Sequence, residues 1–213
     1  MKVLAINGSP KKEGNTYHAL TMLGKQLEKE NIDFEILHIG NKAIQGCLGC
    51  GKCYKMKNNQ CGITTDIVNE SIPKILEADG IVLGSPVHFS GISGTMKSFL
   101  DRVWYVSSSN NNSLFHHKVG AAVVAVRRSG GSATLDSLYH YLAYSEMILA
   151  TSNYWNIIHG TTPAEAEQDT EGVQIMETLG NNMAWIMKMK EASATLSLEE
   201  PEIPNKIMMN FIR

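Results

Sequence analysis

Apolar and polar positions change period repeatedly along the chain, and each change marks an element. KVLAIN (2–7) is almost wholly apolar and stops at Gly8-Ser9-Pro10, which suits a strand buried on both faces of a parallel sheet. Tyr17, Leu20, Leu23 and Leu27 then recur at helical spacing, with Asn15 or Thr16 placed to cap the helix. IDFEILHI (32–39) alternates, with Ile32, Phe34 and Ile36 against Asp33 and Glu35, so a half-exposed strand at a sheet edge is predicted. TDIVNESIPKILEAD (65–79) reads as a helix with Asp66 as its cap, and Pro73 inside it predicts a kink or a start at that point. GIVLG (80–84) and VGAAVVAV (119–126) are further buried strands, and NIIHG (156–160) is a fifth. Helical patterns cover 93–105, 132–147 and 171–190.

Strand and helix thus alternate five times. That order predicts one α/β domain over 1–190, a doubly wound five-stranded parallel sheet with helices on both faces. Placing the alternating second strand outermost gives the order 2-1-3-4-5. Residues 191–213, with two prolines, are left as a C-terminal tail. The stretch SSSNNNS (107–113) is a polar loop, and neither internal repeats nor low-complexity tracts are present.

Composition narrows the function classes. At 43% hydrophobic and 19% charged residues, 213 residues can bury a substantial core. Nineteen basic against 21 acidic residues leave a formal charge of −2, which gives no reason to expect nucleic acid or an anionic membrane as partner. The longest clean apolar run, 119–126, is far short of the roughly 20 residues of a membrane span. MKVLAINGSP turns polar too early for a signal peptide, so a cytoplasmic protein is expected. All four cysteines fall in GCLGCGKCYKMKNNQC (46–61). In a reducing compartment such clustering means metal, cluster or redox chemistry more often than a disulfide.

In a doubly wound sheet, ligands bind beyond the carboxyl ends of the strands. The first such loop, GSPKKEGNT (8–16), offers glycines, amides near a helix N-terminus, and the side chains of Ser9, Asn15 and Thr16. Those parts cradle a phosphate. The loop is neither G-x-G-x-x-G nor G-x-x-x-x-G-K-[ST], because the gap after Gly8 is one residue too long and Asn15 replaces the lysine. Lacking that lysine, it suits a single terminal phosphate, such as that of flavin mononucleotide (FMN).

Two further loops, SPVHFSGISGTMKSFLDR (85–102) and RRSGG (127–131), join GSPKKEGNT in a pattern that resembles the flavodoxin-like NAD(P)H-dependent FMN reductase superfamily. The resemblance continues through TLDSLYHYLAYSEMILATSNYWN, EGVQIMETLGNNMAWIMK and MMNFIR, nearly the whole chain in order. The cysteine pattern C-x2-C-x2-C-x7-C narrows it to the iron-sulfur flavoproteins, whose compact motif holds a [4Fe-4S] cluster beside FMN. The resemblance implies that Ser9, Lys11, Asn15 and Thr16 bind the FMN phosphate. It places Pro86, Val87, His88 and Phe89 along the isoalloxazine, and Arg128, Gly130 and Gly131 in the third flavin loop. Phe89 stands where relatives often have tyrosine. The resemblance also implies a homodimer or homotetramer with flavin near a subunit interface.

Cys47, Cys50, Cys53 and Cys61 are the candidate metal ligands. The short C-x2-C spacings, with Gly46, Gly49 and Gly51 between them, let thiolates converge on one inorganic core. Tetrahedral zinc and unmetallated thiols are the alternatives. Three functions follow. The first is an FMN oxidoreductase taking electrons from NAD(P)H to a flavin, a quinone or another small acceptor. The second is a one-electron carrier serving ferredoxin-like proteins. The third is a thiol redox or metal sensor without enzymatic activity. Other suggestive residues have plainer readings. His116-His117 is expected in solvent, and Lys97, Asp101 and Arg102 on one helix face as a surface ion pair. Met183, Trp185 and Met187 are expected to pack in the core or an interface. Arg127-Arg128 could meet the 2′-phosphate of NADPH or stand solvated.

Overall fold

The computed structural model describes residues 1–204 and 207–211. Four strands in order form the sheet's body: β2 (Asp33–His38), β1 (Lys2–Asn7), β3 (Gly80–His88) and β5 (Val119–Val126), all parallel. Among the described residues β2 pairs only with β1, and it is the edge that its alternation predicted. The far edge is shared by two short strands, β6 (Ile148–Leu149) and β7 (Ile157–His159), which pair with opposite ends of β5. The sheet therefore has seven strands, not five, and the position expected for strand 156–160 is filled jointly. The seventh strand is β4 (Gly91–Ile92), which folds back antiparallel on the end of β3.

Alternation within the strands builds two cores. Leu4, Ile6, Ile81, Leu83, Ala122 and Val124 face α3 (Val68–Glu77), α4 (Gly94–Ser109) and α5 (Gly131–Tyr144). Val3, Ala5, Val82, Ala121 and Val123 face α1 (Asn15–Lys29) and α6 (Thr170–Thr195). A strand buried on both faces needs apolar residues at every position, which is why these runs are continuous. α3 begins at Val68 and runs through Pro73, so the helix does not start at the proline. Asp66 accepts from the Val68 N–H at 3.3 Å, near the capping place expected for it. α6 extends past Lys190 to Thr195, taking the first residues of the expected tail with it. Tail positions 205–206 and 212–213 lie outside the described residues. Among the described residues no helix is long and apolar enough to cross a membrane.

Candidate functional site

The loops leaving β1, β3, β5 and β7 enclose a cavity of about 300 Å³. Its walls are Ser9, Lys11, Asn15 and Thr16, then Pro86, Val87 and His88, then Arg127, and finally Gly160, Thr161 and Pro163. β1 ends on the fully buried Asn7, which ties the first loop from within. Its Oδ1 accepts from the Ser9 N–H at 3.0 Å and its Nδ2 donates to the Lys12 carbonyl at 3.2 Å. Ser9 Oγ in turn accepts from the Lys11 N–H at 3.2 Å.

The start of α1 carries no side-chain cap and no acidic residue in its first turn. The amides at the positive end of this helix can receive an anion, and the nearby acid Glu167 is paired with His18 at 2.8 Å. Asn15 Oδ1 accepts from the Ala166 N–H at 3.2 Å, so that side chain is anchored. Thr16 is 1% exposed, and its Oγ1 has no hydrogen-bond partner among the described residues. A buried hydroxyl left unpaired costs about 1–3 kcal/mol, and an acceptor such as a phosphate oxygen would satisfy it.

The second and third loops are held against each other. β3 and β4 form a hairpin whose turn, Phe89-Ser90, has positive φ at both residues (50° and 59°). Gly130 at φ 87° packs beneath it, so close that a Cβ would lie 2.8 Å from Ser90 Oγ. Only glycine combines that backbone angle with that approach.

The cysteine segment forms a second centre, beside α4. Gly51 (φ 67°) opens a short helix, α2 (Lys52–Met56), that buries Cys53. Cys47 and Cys50 are exposed and Cys61 is half-buried, and all four line one recess with Arg102 and Tyr105. All four thiols are free.

Arg102 corrects an expectation. It is 1% exposed, not part of a surface pair, although Lys97 and Asp101 do pair in the open at 2.6 Å. Its Nε donates to Cys61 Sγ at 3.3 Å, one terminal nitrogen donates to the Gln45 carbonyl at 3.1 Å and to Asp66, and the other donates to the Ile63 carbonyl at 3.0 Å. Asn69 completes the brace, accepting from the Cys61 N–H at 2.8 Å and donating to the Cys61 carbonyl at 3.0 Å. The two ends of the cysteine segment are thereby fixed to α3 and α4.

With both centres built, the comparisons decide the family. Residues 1–162 match the family model of NADPH-dependent FMN reductase. The chain belongs to that family. Its relatives place it in the iron-sulfur flavoprotein branch. One iron-sulfur flavoprotein of Methanocaldococcus jannaschii is 32% identical over 89% of this chain and 98% of its own length. One from Methanosarcina thermophila is 26% identical over 89% of this chain and 96% of its own. Among solved structures, the NAD(P)H:quinone oxidoreductase from Methanothermobacter marburgensis superposes with a TM-score of 0.66 at 15% identity, covering 86% of this chain and 96% of that one. An archaeal flavodoxin gives a TM-score of 0.56 at 16% identity, covering 88% and 99%. These structures confirm the flavodoxin-like fold. As a member of the FMN reductase family, the chain is an FMN-binding flavoprotein of the oxidoreductase class.

Of the flavin-loop residues expected in this family member, Ser9, Lys11, Asn15, Thr16, Pro86, Val87 and His88 meet around the one cavity. Arg128 and Gly131 line a neighbouring cavity of about 210 Å³ with Tyr154, Trp155, His159 and Asp169, while Arg127 lines the same cavity as the first loop. Phe89 stands fully exposed at the hairpin tip and lines neither cavity. The loop Gly160–Pro163 was not anticipated, although it leaves the last strand at the same sheet edge and the topology rule covers it. Asp169 fixes that loop by accepting from the His159 N–H at 2.8 Å while it caps α6 through the Gly172 N–H at 3.0 Å. Partial burial pushes its carboxyl up, but those N–H groups and the His159 ring hold it below the usual range. His116 is not in solvent, since its side chain is only 9% exposed. Met183 and Met187 are core residues, whereas Trp185 is exposed.

Proposed function

We propose that this protein passes electrons from a reduced nicotinamide through FMN to a small acceptor, with a [4Fe-4S] cluster on Cys47, Cys50, Cys53 and Cys61. The observation that carries the flavin site is Thr16 Oγ1, buried and unpartnered at a helix N-terminus with no acidic neighbour in its first turn. Thr16, Ser9, Asn15 and the α1 amides would hold the FMN phosphate, with Lys11 and Arg127 adding positive charge at the cavity. Pro86, Val87 and His88 would form the wall along the ring, with Gly130 keeping the third loop in place behind them. FMN supplies the ability to accept a hydride as two electrons and to release them singly. Four cysteines around one recess, with an arginine donor at one of them, suit a multi-iron core, which handles one electron at a time.

The exposure of Cys47, Cys50, Leu48 and Tyr54 supports a second reading, in which the cysteine face delivers electrons to a ferredoxin-like protein. Nucleic acid and membrane have no place in either reading. A homodimer or homotetramer would complete the flavin site, and the cytoplasm would keep the thiols reduced. Anaerobic purification followed by an absorption spectrum tests the proposal. The flavin bands and a broad iron-sulfur shoulder are expected, with bleaching of the flavin by NADPH. A protein that neither retains nor takes up FMN overturns the whole reading. Flavin bands without iron overturn only the cluster, and slow bleaching by NADPH with rapid reduction by ferredoxin favours the carrier.

A further inference from the structure

His116 and His117 lie between α4 and β5, and Glu146 lies in the turn between α5 and β6. These positions border the amino end of β5, away from the carboxyl edge where the flavin loops gather. The two segments are joined by the His117 N–H, which donates to the Glu146 carbonyl at 3.2 Å. The imidazoles stack at 3.7 Å between centroids. One ligand atom from each of His116, His117 and Glu146 lies within 4.8 Å of the other two. His116 Nε2 is 3.4 Å from Glu146 Oε2 and has no hydrogen-bond partner among the described residues, although its side chain is nine-tenths buried. His117 Nδ1 is engaged by Glu200 Oε2 at 3.1 Å, and Glu200 also pairs with Lys190 at 2.8 Å.

Stacked rings direct their in-plane lone pairs side by side, so one imidazole must turn out of the stack for both to share an ion, and stacking does not satisfy the buried nitrogen. An unpaired buried polar atom costs about 1–3 kcal/mol, and only a proton donor, a proton acceptor or a metal removes that cost. In a tetrahedral site with bonds of about 2.0–2.1 Å, ligand atoms stand about 3.4 Å apart, close to the separation of His116 Nε2 and Glu146 Oε2. His117 Nδ1 already meets a carboxylate, the outer-shell contact that metal-bound imidazoles commonly make, which leaves Nε2 for the ion. Glu146 is 48% exposed, so it can swing to close the site and an ion can enter past it.

We propose that His116, His117 and Glu146 form a binding site for a divalent transition ion of the zinc class, with water in the fourth position and Glu200 behind His117. Two imidazoles and one carboxylate suit zinc over magnesium or calcium, which prefer all-oxygen shells. The ion would tie the strand-entry loop, the α5–β6 turn and, through Glu200, the chain that follows α6. The site is chemically distinct from the thiol recess and does not depend on the flavin reading.

The test is zinc titration of the whole, flavin-loaded protein, followed by zinc K-edge X-ray absorption. One bound zinc per chain is expected, with a shell of nitrogen and oxygen at about 2.0 Å and no sulfur at about 2.3 Å. Glu146→Gln and His116→Ala should each weaken zinc binding at least tenfold without changing FMN content. Glu146 is at the surface, so its variant keeps the test open if the histidine variant fails to fold. Failure to bind zinc, a sulfur-only shell, or unchanged affinity in Glu146→Gln would each overturn the proposal.

Discussion

Arg102 donates from Nε to Cys61 Sγ at 3.3 Å, and with Asn69 it joins the last cysteine of the motif to the core of the fold. The same guanidinium is paired with Asp66, whose side chain is also buried. Removing one partner of a buried pair leaves an uncompensated charge, at a cost of about 3–5 kcal/mol. Arg102→Met should therefore lower the anaerobic urea midpoint markedly, and Arg102→Lys should recover only part of the loss, since an ammonium cannot reproduce the planar fork. If the cluster is loaded, losing the donor to a ligand sulfur should also lower its potential in Arg102→Lys. A wild-type urea midpoint for Arg102→Met would refute the clamp.

Thr16 yields a prediction with opposite signs in two measurements. Among the described residues its hydroxyl is buried and unpartnered. Thr16→Val keeps the shape and removes the orphan, so the flavin-free protein should be as stable as wild type or more so. A hydrogen bond to a charged group contributes about 1.5–3 kcal/mol, so FMN should bind roughly 10- to 100-fold more weakly. Riboflavin, which lacks the phosphate, should bind as before. Quenching of flavin fluorescence measures both, and an equal loss for the two flavins would show that Thr16 does not meet the phosphate.

The parts of this structure that were legible in the sequence are those where one physical demand sets several consecutive residues. VGAAVVAV is buried along its full length and reads as such, and the alternation of IDFEILHI announces an edge. β4 and β6 are two residues long, too short to display a period, whereas β7 falls within the strand expected at 156–160. The hairpin turn Phe89-Ser90 has neither the glycine nor the asparagine that normally signals positive φ. Arg102 was misplaced for a different reason. Lys97 and Asp101 are one i, i+4 step apart, but residue 102 lies about 100° further round the helix, on the stripe of Phe99 and Val106. A charge on an apolar stripe is a signal of a buried partner, and here the partners are Asp66, just before α3, and Cys61 of the cysteine segment.

Gly130 tests how closely the second and third flavin loops must approach. Its φ of 87° and the 2.8 Å approach to Ser90 Oγ exclude a side chain without movement of the hairpin. Gly130→Ala should cost about 1–2 kcal/mol from the backbone alone, a fall in Tm of roughly 2–8 °C for a chain of this size. Displacement of the hairpin should weaken FMN and riboflavin alike, unlike Thr16→Val. A variant with wild-type Tm and wild-type flavin affinity would show that the two loops do not depend on each other.

Lys118 should make stability rise with pH where most proteins of this kind begin to lose it. Burial pushes its ammonium down to about 8, despite attraction from Asp79. Its Nζ donates to the Ile75 and Leu76 carbonyls at the end of α3, at 2.6 and 2.9 Å. In the unfolded chain the group returns to its ordinary value of 10.5. Between these values the unfolded state binds more protons than the folded one, so raising the pH favours folding. The penalty is present in full below about pH 8 and is relieved as the pH climbs toward 10.5. Partial exposure reduces its size to about 1–2 kcal/mol. Urea midpoints at pH 7.5 and pH 9.5 should differ in the wild type by more than in Lys118→Met, which has no proton to release, though it also loses the two carbonyl contacts at both pH values. Equal pH dependence in the two proteins would show that Lys118 is not the group responsible.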